Sequence, residues 1–342
     1  MQLIFFLPDV HRLYTGGNIF NRYLSEHLKE FLPVKNIVIQ TKFSGLDSSL
    51  PSPDESVWLI DSLLLQNQEW MDFLLKQMAP PKILLVHYLH LLDTRDTSDA
   101  VLQRERAFLP LFQGFITTSD YSRQCLCQVG ISEEQIIVIR PGIAHPDQPM
   151  VQPNKSSVPG LLTVSSIFPG KGLLEFIAVL EKLVDVEWCW HIIGEYRLDK
   201  SFTQQFMTRI HASTINKRVK ILPPLTHHEL LKIYPGYDIF VLPSHFETCS
   251  MVTMEAMANG LPTIAWEVGG LAELVEHRKT GYLIPFGREK LFLDYLRKLI
   301  VDDKVRLSLG TKAKKRSMNF TSWKESAERL VSYFKTVFTP KI

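Results

Sequence analysis

Short continuous apolar runs recur along this chain with amphipathic stretches between them, and that alternation restricts the fold more than any other feature. The first half contains "LIFFL" (Leu3 to Leu7), "NIVI", "VWLI", "KILLV" and "GFITT"; the second contains "GLLTVSS", "EWCWHIIG", "RVKIL", "DIFVLPS", "LPTIAW" and "TGYLIP". Apolar residues at consecutive positions, without polar alternation, describe strands buried on both faces. Parallel sheets covered by helices on each side bury their strands in this way. The pattern stops at "RPGIAHPDQPMVQPNKSSVPG", Arg140 to Gly160, where five prolines and no periodicity mark a linker. The reading is therefore α/β, with two Rossmann-like domains of similar size facing each other across a cleft. Their expected extents are residues 1–148 and 156–321, followed by an amphipathic helix at about 322–342 with Trp323, Ala327, Leu330 and Phe334 at helical spacing.

Composition narrows the class. The chain has 342 residues, 45% hydrophobic and 22% charged, the profile of a folded globular protein. Its N-terminus, "MQLIFFLPDVHR", reads as a first strand and not a signal peptide, and no run of about 18 apolar residues occurs to span a membrane. The cysteines Cys125, Cys127, Cys189 and Cys249 form neither a C-x-x-C pair nor a Cys/His knuckle, so reduced thiols in a cytosolic protein are expected and a structural zinc is not.

Open α/β sheets bind ligands beyond the carboxyl ends of their strands, which makes the residues after each strand the candidates. Gly16 and Gly17 follow the first strand and head a helix; paired glycines suit an anion at a helix N-terminus and a plain tight turn equally. No G-x-G-x-x-G fingerprint occurs. His87 directly follows "KILLV", with His90 three residues on, and Asp61 ends "VWLI"; these could meet sugar hydroxyls or be structural. "SDYSR" reads as a helix cap. In the second half Lys171 stands in a Gly/Pro loop after a strand, a point charge suited to phosphate. "DIFVLPS" then delivers His245, Phe246 and Glu247, with a helix starting near Ser250 or Met251 and Glu255 in its early turns. A carboxylate buried without a partner costs several kcal/mol, so two glutamates among Phe246, Met251, Met254 and Met257 imply bound groups. The helix tip suits a diphosphate, and the two acids suit the hydroxyls on either side of it.

On these residues the chain resembles the family-4 retaining glycosyltransferases of the GT-B fold over nearly its full length. The specific match is "ETCSMVTME", two glutamates with seven residues between, continuing into "AMANGLPTIAWEVGGLAELV" and "TGYLIPFG"; "GG", "RPGI", "KG" and "SWKESAERLVSYF" support it. The resemblance implies a nucleoside-diphosphate-sugar donor as substrate, no resident cofactor and no metal, and the chain has no D-x-D triplet. It implies that Glu255 binds ribose, that Glu247 contacts the transferred sugar, and that Thr248, Cys249, Ser250 and Met251 lie beside it. Lys171 neutralises the diphosphate, Gly16 and Gly17 cap it, Ser166 and Gly194 line the donor site, and His87 sits beside the reacting sugar. Asp61 and His90 are left as acceptor candidates, and the last helix crosses back to the N-terminal, acceptor-binding domain. One position departs: the family commonly has an arginine five residues before the lysine, and here it is Ser166.

The function expected is sugar transfer to an acceptor hydroxyl with retention of configuration. Two alternatives stay open: a nucleotide-sugar-binding protein without turnover, and a GT-B nucleotide-sugar epimerase. Residues 1–150 hold 12 Lys+Arg against 17 Asp+Glu, a charge of −5, and residues 151–342 hold the remaining 26 against 19, a charge of +7. A basic second half suits an anionic donor. The acidic first half points to a small, soluble, neutral or cationic acceptor in the cytoplasm, without nucleic acid as a partner, and leaves peripheral membrane contact open.

Overall fold

A computed structural model describes residues 2–9, 13, 15–40, 42, 56–76, 80–93, 98–143 and 158–338. The chain divides into two compact units, residues 1–13, 17–142 and 321–342 in the first, and residues 14–16 and 143–320 in the second. The expected boundaries at 148 and 156 fall outside the described residues, as does most of the proline-rich segment.

The first unit contains β1 (Gln2–Pro8), α1 (Gly16–Leu28), β2 (Val34–Ile39), β3 (Ser56–Asp61), α2 (Gln68–Leu75), β4 (Lys82–Val86), α3 (Asp99–Phe108), β5 (Gly114–Thr117), α4 (Asp120–Gln128) and β6 (Ile136–Val138). Its strands form one parallel sheet in the order β2-β1-β3-β4-β5-β6. Leu3, Ile4, Phe5 and Phe6 are all completely buried. Successive side chains of a strand point to opposite faces, so this run is covered on both, as its uninterrupted apolarity requires. Ser119 caps α4, its Oγ accepting from the Ser122 amide at 3.2 Å.

The second unit contains β7 (Gly160–Val164), α5 (Leu173–Leu180), β8 (Cys189–Ile193), α6 (Lys200–His211), β9 (Val219–Leu222), α7 (His227–Ile233), β10 (Ile239–Leu242), α8 (Met251–Ala258), β11 (Thr263–Glu267), α9 (Leu271–Leu274), β12 (Gly281–Pro285), α10 (Glu289–Val301) and α11 (Asp303–Ser317). The parallel order is β12-β11-β10-β7-β8-β9. Counted from β7 as its first strand, this is the doubly wound dinucleotide-fold order. Alternate residues feed two separate cores. Leu161, Ile239 and Val241 join one, while Leu162, Val164, Phe240 and Leu242 join the other.

The chain then returns to the first unit as α12 (Trp323–Phe338). Trp323, Ala327, Leu330 and Phe334 are buried along one side of it. The Trp323 ring meets Phe20 edge-on at 5.4 Å and stacks on Tyr23 at 5.3 Å, fixing α12 against α1. The Ser326 hydroxyl adds a 2.7 Å hydrogen bond to the Arg140 carbonyl.

Candidate active site

The strand order of the second sheet reverses between β7 and β10. Ligand sites of open α/β sheets form at such reversals, outside the carboxyl ends of the strands. The loop carrying Lys171 follows β7 and the loop carrying Glu247 follows β10, and the backbone ties them together. The His245 amide donates to the Gly170 carbonyl at 2.9 Å. Gly172 takes φ +64°, and a Cβ there would fall 2.0 Å from the Pro243 carbonyl oxygen. Beyond Glu247, Gly269 takes φ +53°, and a Cβ there would fall 1.9 Å from the Glu247 carbonyl. Only glycine fits either position. The Gly270 amide completes the clamp with a 2.8 Å bond to the same carbonyl.

This frame brings Lys171 and Glu247 together. The Lys171 ammonium donates to Glu247 Oε1 at 2.8 Å, with the side chains 32% and 12% exposed. Thr248 and Cys249 lead from Glu247 into Ser250, the residue before α8, and Met251 is the first helical position. The first amides of a helix have no intrahelical acceptors, so α8 presents a positive backbone end beside that pair. The Ser250 hydroxyl lies 2.9 Å from the Thr253 hydroxyl and does not cap the helix.

Glu255 is buried inside α8, and both its oxygens have partners. Oε1 is 2.7 Å from His227 Nε2, and Oε2 accepts from the Tyr234 hydroxyl at 2.7 Å. Burial, and next the neighbouring carboxylate, raise the Tyr234 phenol well above its ordinary range, so it stays a donor. A carboxylate offers about four lone-pair positions, which leaves further acceptor capacity on both oxygens. His227 and Tyr234 were not foreseen. The "THHE" capping box, in which Thr226 and Glu229 close the start of α7, was a visible signal for where His227 would sit.

Ser166 lies on the loop after β7, and its neighbour Ile167 donates its amide to the Glu195 carbonyl at 2.8 Å. Gly194 follows β8 beside this loop, and Glu195 and Arg197 come after it. Glu195 is fully buried and accepts from Arg197 Nε at 2.7 Å and Nη2 at 2.6 Å, while the Arg197 side chain is 61% exposed. Hydrogen bonds from that guanidinium hold the Glu195 carboxyl below its usual range. A second cation therefore stands on the loop packed against Ser166. It was also not foreseen, although it follows a strand end like the others.

In the first unit, α1 begins at Gly16, and the Gly17 backbone passes His87 so closely that a Cβ would lie 3.3 Å from the ring. His87 Nε2 is 2.7 Å from Asn21 Oδ1, and Phe20 packs edge-on at 5.1 Å. Burial lowers the His87 pKa against the opposing pull of Asp61, so the ring is neutral at pH 7. Asp61, an acceptor candidate from the sequence, lies in the interior. Asp61 is completely buried, its Oδ1 accepting from the Leu63 amide at 2.8 Å and its Oδ2 from Asn21 at 2.6 Å. It caps a short 3-10 helix and orients the Asn21 amide toward His87. His90 is likewise engaged: its Nδ1 is 2.8 Å from Glu105 Oε1, and buried Glu105 also takes the His90 and Leu91 amides at 3.0 and 2.9 Å. Among the described residues there is no cluster of three or more His, Cys, Asp or Glu able to hold a metal, and no helix long and apolar enough to cross a membrane.

Residues 147–316 match the family described as Glycosyl transferases group 1, and the match covers most of the second unit. A D-inositol 3-phosphate glycosyltransferase of Corynebacterium efficiens is 36% identical over 125 residues, 36% of this chain and 29% of that protein. The protein of the same description from Mycobacteroides abscessus is 35% identical over 120 residues, 35% of this chain and 26% of its own length. The aligned part thus spans well under half of these relatives. Among solved structures, sucrose-phosphate synthase from Thermosynechococcus elongatus superposes with a TM-score of 0.80 at 19% identity, covering 99% of both chains. Anabaena HepE in complex with UDP-glucose also gives a TM-score of 0.80, at 16% identity, over 98% of this chain and 100% of that one. Likeness at such identities establishes the fold, which is GT-B.

Proposed function

We propose that the protein transfers a sugar from a nucleoside-diphosphate-sugar donor to an acceptor hydroxyl with retention at the anomeric carbon. The observation that carries this reading is the Lys171–Glu247 pair at the sheet reversal, beside the N-terminus of α8, with Glu255 buried one turn into that helix. A diphosphate is a dianion or more, and the ammonium of Lys171 and the helix end are the groups that stabilise it. Glu255, steadied by His227 and Tyr234, offers its remaining lone pairs to ribose hydroxyls. Glu247 takes the hydroxyls of the sugar. The similarity to D-inositol 3-phosphate glycosyltransferases and the UDP-glucose bound to HepE support a donor of this class.

In the reaction, the bond from the anomeric carbon to the diphosphate oxygen breaks. A bond from the same face to the acceptor oxygen forms, and the acceptor proton passes to the departing diphosphate oxygen. Catalysis then rests on positioning and on preorganised charge at the leaving group. Arg197, paired with buried Glu195 and otherwise exposed on the neighbouring loop, is the candidate for the second cation that Ser166 does not provide. We assign no carboxylate nucleophile from the first unit, because Asp61 is completely buried and caps the turn that follows its strand. The acidic balance of residues 1–150 favours a small soluble acceptor that is neutral or cationic. Pelleting with anionic liposomes through first-unit basic residues would overturn that choice of acceptor.

The decisive experiment is a panel of nucleoside-diphosphate sugars scored for thermal stabilisation, then for transfer and donor hydrolysis. Stabilisation by mass action identifies the donor. A donor that stabilises wild type but neither reacts nor hydrolyses with any acceptor supports a binding protein instead, and a product formed from donor alone supports an epimerase.

A further inference from the structure

The second unit carries a basin of about 580 Å³ at the opposite end of its sheet from Lys171 and Glu247. Tyr282 is the second residue of β12 and Arg278 precedes that strand, so the basin borders the amino end of a parallel sheet whose carboxyl ends bear the donor loops. Nine residues line it, four of them cations (Arg278, Lys298, Lys304 and Lys312) and none of them acidic. Of the nearby acids, two are paired with other cations, while Asp302 stays at the edge of the basin, acting on Tyr282. Asp302 caps the Val305 amide at 3.0 Å, Asp303 pairs with Arg306, and Glu276 pairs with Lys279 and Arg316. Among the described residues, none of the four lining cations has a carboxylate within ion-pair distance.

The walls hold one of these cations in place. Arg278 is the one described non-glycine residue with positive φ, at 64°, a conformation that a Cβ makes unfavourable and that glycine or asparagine ordinarily takes. Its Nε donates to the Tyr295 hydroxyl at 2.9 Å, and its guanidinium lies 5.7 Å from the centre of the Tyr295 ring. Tyr295 in turn stacks on buried Tyr282 at 4.2 Å. Backbone strain kept at a residue whose side chain is clamped toward a cavity points to a use for that side chain. Four exposed like charges line one concavity with no cation-paired acid among its walls, and a multivalent anion can engage several of them at once.

We infer that this basin is a binding site for a phosphate-bearing ligand, separate from the proposed donor site. A planar guanidinium held at the wall matches phosphate geometry, and the three lysines supply mobile point charges at the rim. The ligand is either a free phosphorylated molecule or the headgroup of an anionic lipid.

The test uses the full chain carrying Lys171→Ala, so that pyrophosphate at the donor loops is not counted. Calorimetric titration with pyrophosphate is run beside co-sedimentation with phosphatidylcholine vesicles, with and without phosphatidic acid. Saturable binding to at least one probe is expected, weakened about twenty-fivefold by Lys304→Gln/Lys312→Gln, roughly fivefold for each exposed charge lost. Arg278→Gly should weaken binding too while leaving the Tm equal or higher, because it releases the left-handed strain. Binding of pyrophosphate alone assigns a free phosphorylated ligand; pelleting only with phosphatidic acid assigns a headgroup. No binding to either probe, or binding that the double lysine variant leaves unchanged, overturns the inference. So does an Arg278→Gly variant with intact binding and a lowered Tm, which would mark the arginine as structural.

Discussion

Glu255 separates the structural and the ligand roles of one buried carboxylate, and two substitutions pull them apart. Glu255→Ala removes the carboxylate that lies 2.7 Å from both His227 Nε2 and the Tyr234 hydroxyl, and leaves the hydroxyl the Val252 carbonyl at 3.5 Å. Losing each of these two buried hydrogen bonds to a carboxylate costs about 1–3 kcal/mol, so the loss should be about 2–6 kcal/mol. For a unit of this size the Tm falls by about 2–4 °C per kcal/mol, so a drop of about 4–24 °C is expected by calorimetry. Glu255→Gln keeps the volume and one carbonyl oxygen, and the Tyr234 hydroxyl can turn to accept from the new amide. Its Tm should therefore fall much less. Donor binding ranks differently, because either variant loses a charged acceptor for the ribose, worth about 1.5–3 kcal/mol or roughly ten- to a hundredfold in kcat/KM. Tyr234→Phe closes a cycle: in that background Glu255→Ala should cost about 0.5–3 kcal/mol less than in wild type. A Gln variant with wild-type kcat/KM for an identified donor would refute the ribose role. An Ala variant with wild-type Tm would refute the buried network.

Glu247→Ala should reduce kcat more than it weakens donor binding, since its carboxylate is assigned to the sugar; an unchanged kcat with that donor sinks the assignment. Ser166→Arg tests whether Arg197 already supplies the second cation. A drop in kcat/KM from crowding and repulsion is expected, and a gain would show that the charge was missing. Activity should survive EDTA, and a loss restored by Mn²⁺ would reveal a metal site. Burial lowers the His87 pKa, so the unfolded chain takes the proton more readily than the folded one. That contribution to stability is complete above about pH 6.5, the ordinary imidazole value, and is lost as pH falls below it toward the depressed folded value. Urea midpoints of His87→Gln should accordingly fall less than those of wild type on acidification, and parallel curves would refute this.

The strands were legible because a parallel sheet covered on both faces needs uninterrupted apolar runs, and few other structures do. "LIFFL" and "KILLV" lie within β1 and β4 for that reason. The three-residue β6 escaped notice, since "IIV" beside "SEEQ" is too short to carry a period and occupies the sheet edge. α10 and α11 escaped as well; α11 is rich in lysine and arginine, and its exposed faces blur the apolar stripe by which an amphipathic helix is read.

Among site residues, legibility followed how directly the chain dictates position. Lys171 and Glu247 come from loops that immediately follow adjacent strands, so a strand list and a topology rule are enough to bring them together. Glu255 was legible as a carboxylate in need of partners, but which partners it has was not. His227 and Tyr234 lie 28 and 21 residues away, on and just after a helix whose rotation about its axis decides what they touch. Asp61 shows the converse. Its place at a strand end made it look available, yet the next turn folds back so that the Leu63 amide claims one oxygen and Asn21 the other. A strand end places a Cα near a ligand site; whether the side chain is free to act depends on the backbone donors of the following turn, and these do not show in the pattern of side chains.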